Sequence, residues 1–190
     1  MRTKNKGSTG VGTLIIFIAV ILVAAVAAAV LISTAGSLQQ RALVTGGQAE
    51  EGVSTGAEAV SVMGTDARSG HNLEDIEFLM RLQAGSESMN LNNTVVTVDT
   101  AETTQNLDYS GNGGTSSTVN FAVAYVKQGP DYEVGYLSRG DVIKVTFASA
   151  ENISENQKVR LKVIPRVGQP TIVEFTTPDV MTDQRINLWP

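Results

Sequence analysis

Residues 14–32 read LIIFIAVILVAAVAAAVLI, a run of nineteen residues without a single polar side chain. At a rise of about 1.5 Å per residue, a helix of this length covers most of the roughly 30 Å hydrocarbon core of a bilayer. No charged residue occurs from Gly7 to Gln40, so the uncharged helix is predicted to extend beyond the apolar run. This stretch predicts a helix that enters a membrane and needs additional cover at its ends.

The residues after the apolar run predict a weaker continuation of the same helix. Apolar and small residues recur at roughly helical spacing between Gln, Arg and Glu side chains. These residues are Leu38, Ala42, Ala49, Val53, Ala57 and Val60. The glycines among them each cost about 1 kcal/mol relative to alanine, so packing against copies of the same helix is expected to stabilise this part. The helix is therefore predicted over residues 8–65.

From Ile76 onward the hydrophobic period changes to two, which is typical of half-buried strands. Further runs rich in Val, Ile, Thr, Phe and Tyr predict additional strands. They are residues 93–99, 118–127, 132–137, 142–147, 158–164 and 171–176. Short strands separated by turn-forming residues predict a sandwich over residues 66–190. The predicted fold class is α+β, with a long N-terminal hydrophobic α-helix followed by an immunoglobulin-like antiparallel β-sandwich.

Composition excludes several classes of function. The chain has no cysteine, which removes disulfides and thiol nucleophiles, and its single histidine, His71, cannot build a histidine metal cluster. The formal net charge is −5, without the clustered Lys and Arg that phosphate binding needs, so no nucleic-acid partner is expected. No phosphate-binding glycine loop or catalytic constellation is recognisable, and the chain is predicted not to be an enzyme.

Three interpretations of the amino terminus are open on the residues alone. Residues 1–6, MRTKNK, predict a cytoplasmic end, because positive charge resists translocation. The apolar run is then a secretory signal cleaved near Ala35, an uncleaved anchor, or a helix that stays on the mature protein after cleavage behind Gly7. The nineteen-residue run exceeds the roughly 7–15 residues of an ordinary signal, which counts against the first interpretation.

The third interpretation agrees with a resemblance to a known family. Residues 6–19, KGSTGVGTLIIFIA, and the run that follows them through Ala42 resemble the start of archaellins, the archaeal flagellins. Near the other end, Gly140-Asp141, residues 158–165 and residues 168–178 are similar to the carboxy-terminal pattern of that family. Residues 90–134 show no comparable match. Gly12 stands at the fifth mature position, where bacterial type IV pilins usually carry Glu, so archaellins fit better.

The resemblance implies processing and export. Residues 1–7 are then a class III signal peptide, removed between Gly7 and Ser8 by a prepilin-peptidase-like signal peptidase. The precursor is inserted transiently in the membrane, and a membrane assembly platform with an ATP-driven motor completes the set of partners. The mature chain is expected to be extracellular, in the archaellum filament.

The resemblance also implies that the chain polymerises, as a homopolymer or with other archaellins, into the type IV pilin-like filament used for swimming. The apolar helix then forms the filament core. The expected packing residues are Leu14, Ile15, Ile16, Phe17, Ile18, Val20, Leu22, Val23, Val26, Val30 and Leu31. The alternatives are a subunit of a non-rotating adhesion pilus and a membrane-anchored binding domain of the cell envelope.

Two smaller patterns predict modification and metal binding in the outer domain. Asn92-Asn93-Thr94 and Asn152-Ile153-Ser154 are N-glycosylation sequons, and archaellins are commonly glycosylated, so Asn92 and Asn152 are candidate acceptors. Asp108, Ser110 and Asn112 are spaced like the opening of a calcium loop, but Val119 replaces the required carboxylate. A plain turn is expected there. No cofactor is required, and a structural divalent cation is a secondary hypothesis.

Overall fold

The structure is a computed structural model that describes residues 5–67 and 72–190. Residues 1–4 of the predicted signal peptide lie outside the described residues, as does His71. Contacts divide the chain into two units, Met1–Gln48 and Ala49–Pro190. The described residues of the first unit are helical, and the second unit contains the last turns of that helix and all the described strands.

Helix α1, Asn5–Ser54, has 50 residues and meets the length and composition requirements for a membrane span. At a rise of about 1.5 Å per residue it is roughly 75 Å long, more than twice the thickness of a hydrocarbon core. Ala, Leu, Ile and Val dominate its first half, and no proline interrupts it. The predicted long N-terminal helix is confirmed, and it extends well past the length that lipid alone can cover.

The predicted end of the helix at residue 65 is wrong. Helix α1 ends at Ser54, and strand β1 occupies Ala57–Gly64. The small residues of this segment fit either a helical or an extended period. Pairing decides between the two, because β1 joins strand β2, Leu73–Leu82, on one side and strand β11, Ile186–Trp189, on the other. Ladder hydrogen bonds from two neighbours outweigh a weak local preference for helix.

The other strands are β3, Met89–Asn90; β4, Val95–Asp99; β5, Thr104–Asn112; β6, Asn120–Lys127; β7, Tyr136–Leu137; β8, Val142–Ile153; β9, Lys158–Ile164; and β10, Thr171–Thr176. Nine strands form one sheet in the order β10-β9-β4-β5-β6-β8-β2-β1-β11, and β3 pairs with β7. All pairs are antiparallel except β5 with β6. That parallel pair joins the two halves of the mostly antiparallel sandwich.

The core of the second unit lies between these two halves of the sheet. Buried residues alternate with more exposed ones along most of strands β8 and β9, and the largest fully buried side chains include Phe78, Phe121 and Phe147. The rings of Phe78 and Phe147 meet edge to face, with centroids 6.3 Å apart. Trp189, the only tryptophan, is partly buried against the same core. The carboxy-terminal strand β11 therefore packs against the sandwich.

The sequence located the strands with strict hydrophobic alternation and missed polar or very short ones. Strands β9 and β10 have the predicted bounds, and Pro165 and Pro170 flank the loop between them. Strand β8 is longer than predicted, and only two residues of the predicted strand at 132–137 are extended. Strand β5 was expected to contain a turn because its outward face is polar throughout. Its inward face carries Gln105 and Leu107, both buried.

Candidate assembly surface

The apolar run of α1 forms a continuous exposed surface in the single chain. The eleven side chains predicted to pack in a filament core are each at least 50% exposed. Exposed apolar side chains occur on all sides of this helix, including Ile21 and Ile32. A helix that is hydrophobic all round is normally buried in a membrane or among other helices. The part of the chain that the structure describes leaves this surface available for such cover.

Two threonines close to the ends of the apolar run are satisfied within the helix. Thr13 Oγ1 donates to the Gly10 carbonyl oxygen at 2.9 Å. Thr34 Oγ1 donates to the carbonyl oxygen of Val30 at 2.9 Å and to that of Leu31 at 3.0 Å. A hydroxyl that is already bonded to its own helix loses little when lipid or protein replaces water. The surface of this helix is therefore compatible both with lipid and with a protein interior.

The predicted cleavage position lies near the amino terminus of α1. Gly7 and Ser8 belong to the helical backbone, and Gly7 is exposed. A Cβ atom built on Gly7, Gly10 or Gly12 would have no atom within 4 Å. Contacts within the single chain thus do not require glycine at these positions, and cleavage between Gly7 and Ser8 stays a prediction.

The last turn of α1 is capped by the loop between β9 and β10. The backbone N–H of Gln169 donates to the Thr55 carbonyl oxygen at 2.8 Å, and its side-chain Nε2 donates to the Val53 carbonyl oxygen at 3.2 Å. Thr171 Oγ1 donates to the Ala57 carbonyl oxygen at 2.6 Å. The Val53 carbonyl is one of those that the end of a helix leaves without a partner, and the other two bonds hold the residues that follow the helix. Residues 168–171 therefore act as a C-terminal cap.

A second set of contacts, made by the loop that follows strand β2, holds the same junction. Ser86 Oγ donates to the Ser54 carbonyl oxygen at 3.1 Å and accepts from the backbone N–H of Gly56 at 3.0 Å. The backbone N–H of Gln83 donates to the Gly56 carbonyl oxygen at 3.0 Å. Residues 168–171 were singled out in the sequence only as part of a resemblance to a family pattern. Nothing in the local sequence identified Ser86 as a contact residue.

The outward face of β9 and β10 carries a network of ion pairs. Lys162 Nζ donates to Asp99 Oδ2 at 2.6 Å, and this hydrogen bond lowers the pKa of the Asp99 carboxyl. Glu174 accepts from Lys158 at 3.0 Å and from Arg160 at 2.6 Å, and these bonds lower the pKa of the Glu174 carboxyl. The pairs are solvent-accessible, so they organise this face more than they stabilise the domain.

Two buried carboxylates that sequence reasoning missed hold loops in place. Glu77 is 6% exposed, and its carboxylate pairs with Arg185, which precedes β11, and with Lys144 at 3.5 Å. Asp141 is 1% exposed and accepts from the backbone N–H groups of Gly129 at 2.6 Å and Ser138 at 2.9 Å. The Gly140-Asp141 pattern was the available signal for the second carboxylate. Both have structural roles in the described contacts.

The structure places both candidate glycosylation acceptors on the surface. Asn92 is exposed in a 3₁₀ turn, Leu91–Asn93, whereas Thr94 of its sequon is buried and donates to the Asn90 carbonyl oxygen at 2.8 Å. Asn152 is exposed near the end of β8. Both side chains are therefore accessible in the single chain, and their modification stays a prediction.

The three candidate metal ligands lie in a strand, so the turn predicted there is wrong. Asp108, Ser110 and Asn112 alternate along β5, which separates the first and last by about 13 Å. Ser110 Oγ already donates to the carbonyl oxygens of Thr115 and Phe121. The ligands of a calcium ion all lie about 2.3–2.6 Å from it. The positions of Asp108, Ser110 and Asn112 along the strand do not favour binding of one ion by all three. Within residues 5–67 and 72–190, no group of three or more His, Cys, Asp or Glu could hold a metal ion.

Relatives of similar length match almost the whole chain. Flagellin B2 of Methanocaldococcus jannaschii is 36% identical over 201 residues, which span 92% of this chain and 90% of that protein. Flagellin B1 of Methanococcus voltae is 32% identical over 210 residues, which span 98% of this chain and 96% of that protein.

Solved structures show the same fold. The archaeal flagellum of Methanospirillum hungatei matches with a TM-score of 0.73 at 18% identity, covering 95% of this chain and 99% of that one. The crystal structure of an archaeal flagellin from Methanocaldococcus jannaschii matches with a TM-score of 0.65 at 18% identity, covering 71% of this chain and 97% of that one. The model of the archaeal-type flagellin family matches residues 7–175, and the chain therefore belongs to the archaeal-type flagellins.

Proposed function

We propose that this chain is a structural subunit that polymerises with other archaellins into the extracellular archaellum filament used for swimming. The observation that carries the proposal is the exposed apolar surface of residues 14–32, borne by a member of the flagellin family. A water-exposed surface of this kind is unstable, and a filament core of parallel helices covers it. The proposed role needs no chemical step.

The energetic argument is an exchange of one apolar environment for another. Full burial of a large apolar side chain contributes about 1.5–3 kcal/mol, so full burial of eleven of them would contribute roughly 17–33 kcal/mol per subunit. Lipid supplies this burial to the membrane-inserted precursor, and neighbouring helices supply it in the filament. Transfer directly from one to the other avoids the cost of exposing the helix to water.

The steps before assembly follow from the same proposal. A prepilin-peptidase-like enzyme on the cytoplasmic side removes residues 1–7 and leaves Ser8 as the first residue. A membrane assembly platform then moves the processed subunit into the base of the filament, which an ATP-driven motor turns. Asn92 and Asn152 are the proposed attachment points for glycans, since both side chains are exposed. The chain itself is proposed to need no cofactor in these steps.

The test compares Phe17→Asp with Phe17→Leu in the full chain, produced in an archaeal host that lacks its own filament subunits. Phe17 is 64% exposed in the single chain, so neither substitution disturbs a packed interior. A charge at this position is costly in a helix core, whereas leucine keeps the apolar surface. We expect filaments from the wild-type chain and from Phe17→Leu, and none from Phe17→Asp, by electron microscopy.

The purified wild-type filaments give two further measurements. Amino-terminal sequencing is expected to begin at Ser8, and the intact mass is expected to exceed the mass of residues 8–190 by the attached glycans. Normal filaments from Phe17→Asp would refute the role of the apolar helix. Sequencing that begins near Gly36 would instead show ordinary secretion.

A further inference from the structure

The two glycosylation sequons of the outer domain differ in the exposure of their third residue. In Asn92-Asn93-Thr94 the first asparagine is exposed, but Thr94 is 3% exposed. In Asn152-Ile153-Ser154 both Asn152 and Ser154 are exposed. The sequon is defined by its hydroxyl as well as by its amide, so an enzyme that recognises it must reach both side chains. The folded domain offers both side chains at the second sequon and not at the first.

Hydrogen bonds fix Thr94 at the end of the 3₁₀ turn, Leu91–Asn93. Its Oγ1 donates to the Asn90 carbonyl oxygen at 2.8 Å, and its backbone N–H donates to the Leu91 carbonyl oxygen at 3.1 Å. A buried hydroxyl that already has a partner must give up that partner before it can bond to another molecule. The Thr94 hydroxyl is therefore closed to an enzyme while the turn is intact.

The same turn is tied to a distant part of the domain. The Asn90 side chain accepts from the backbone N–H of Asn92 at 2.9 Å and donates to the Tyr136 hydroxyl oxygen at 3.0 Å. The backbone N–H of Leu91 donates to the Gly135 carbonyl oxygen at 2.9 Å. Strand β3 pairs with β7 through the same two segments. Opening of the turn must therefore break contacts between segments that lie 46 residues apart in the chain.

The second sequon lies where strand β8 ends, and its two functional side chains flank a buried one. Ile153 belongs to the core, and alternation along an extended chain places Asn152 on the opposite side. The backbone N–H of Ser154 donates to Gln157 Oε1 at 3.1 Å, and its carbonyl oxygen accepts from Thr177 Oγ1 at 2.7 Å. These bonds hold the backbone of Ser154, while its side chain is exposed.

We propose that folding of the outer domain closes the Asn92 sequon to glycosylation and leaves the Asn152 sequon open. Glycan attachment at Asn92 then precedes formation of the 3₁₀ turn, whereas Asn152 accepts a glycan before or after folding. Because the Asn92 side chain itself is exposed, a glycan attached there before folding stays on the surface. This inference rests on the proposed glycosylation of the chain.

The reaction is the transfer of a glycan from a lipid phosphate to an asparagine side chain. The Asn Nδ2 atom forms a bond to the first sugar carbon, and the bond from that carbon to the phosphate oxygen breaks. The lipid phosphate leaves with the electron pair, and Nδ2 gives one proton to a base of the transferase. The chain supplies the amide and the hydroxyl of the sequon.

A transfer assay on the full chain tests the effect of folding. The chain is made in a bacterium that lacks N-glycosylation and is solubilised in detergent, and archaeal membranes supply the transferase and its lipid-linked glycan. Mass spectrometry of proteolytic peptides measures transfer to each asparagine over time. The unfolded comparison is Phe78→Asp with Phe147→Asp, which places two charges in the core and leaves both sequons unchanged. Trp189 fluorescence reports whether each chain is folded.

We expect transfer to Asn92 to be at least about tenfold slower in the folded wild-type chain than in the unfolded variant, and transfer to Asn152 to differ by less than about threefold. A tenfold difference corresponds to about 1.4 kcal/mol for local opening of the turn. Asn90→Ala lies outside the sequon and removes both side-chain bonds of Asn90. We expect this variant to stay folded and to accelerate transfer to Asn92 but not to Asn152.

Thr94→Val in the unfolded variant is the control, and it is expected to abolish transfer to Asn92 alone. Equal rates at Asn92 in the folded and unfolded chains would overturn the proposal. An Asn92 that stays unmodified in the unfolded variant, while Asn152 is modified, would also overturn it. Absence of transfer to either asparagine of the unfolded variant would instead refute the proposed glycosylation.

Discussion

Replacement of Gly168 by alanine is expected to break the cap on the last turn of α1. Gly168 has a φ of +113°, and a Cβ at this position would lie 2.6 Å from the Thr55 carbonyl oxygen. The obstructing atom belongs to the backbone, so it cannot rotate away as a side chain would. The loop must shift, and the 2.8 Å hydrogen bond from Gln169 N–H to the Thr55 carbonyl oxygen is then lost.

The expected magnitude follows from two contributions. A non-glycine residue at positive φ costs about 1–3 kcal/mol, and a buried acceptor that loses its partner costs about 1–3 kcal/mol. Thr55 is 4% exposed, so water does not readily replace the lost donor. We expect Gly168→Ala to lower the free energy of unfolding by about 2–6 kcal/mol and Tm by roughly 5–20 °C.

Gly85→Ala is the matched control for this prediction. Gly85 has a φ of +87°, but a Cβ at that position would have no atom within 4 Å. It therefore carries the backbone penalty without the collision or the lost cap. The assay is guanidinium unfolding of the detergent-solubilised chain followed by fluorescence of Trp189, the only tryptophan. Equal destabilisation by the two variants, within about 0.5 kcal/mol, would refute the capping role of residues 168–171.

Two further predictions concern charged groups of the outer domain. Glu77→Gln removes the buried carboxylate that pairs with Arg185 and Lys144. We expect this substitution to lower the free energy of unfolding by about 1–3 kcal/mol and to increase acrylamide quenching of Trp189. Unchanged quenching would show that the ion pair with Arg185 does not hold strand β11 in place. The pKa values of Asp99 and Glu174 are lowered from their ordinary 3.8 and 4.5, so their pairs stabilise the folded domain above those values and lose this contribution as the pH falls through the lowered values. The double variant Asp99→Asn with Glu174→Gln is expected to show a shallower loss of unfolding free energy on acidification below about pH 4.5, and an unchanged slope would contradict the assignment.

The strands that sequence reasoning located differ from those it missed in a simple physical way. Strand β9 alternates charged and apolar residues from Lys158 to Val163, and strand β10 alternates apolar and polar residues from Val173 to Thr176, so their period is visible in a short window. Strand β5 buries Gln105, whose side chain donates to the Ala148 carbonyl oxygen at 3.0 Å and accepts from the Ala150 N–H at 2.7 Å. In the sequence alone, this glutamine favours a loop, because the backbone groups of strand β8 that hydrogen-bond its buried side chain are distant in the chain.

The long apolar helix, the outer β-domain and the family could all be predicted from local sequence patterns. Nineteen uninterrupted apolar residues have few alternatives to a helix in lipid or in a core, and this does not depend on any distant part of the chain. The position where the helix ends, and the residues that cap it, depend on contacts between distant segments. Gln169 reaches Val53 across 116 residues, and β1 is a strand because β2 and β11 pair with it. Contacts between distant segments outweigh local preferences wherever those preferences are weak, as they are from Ala49 to Gly64.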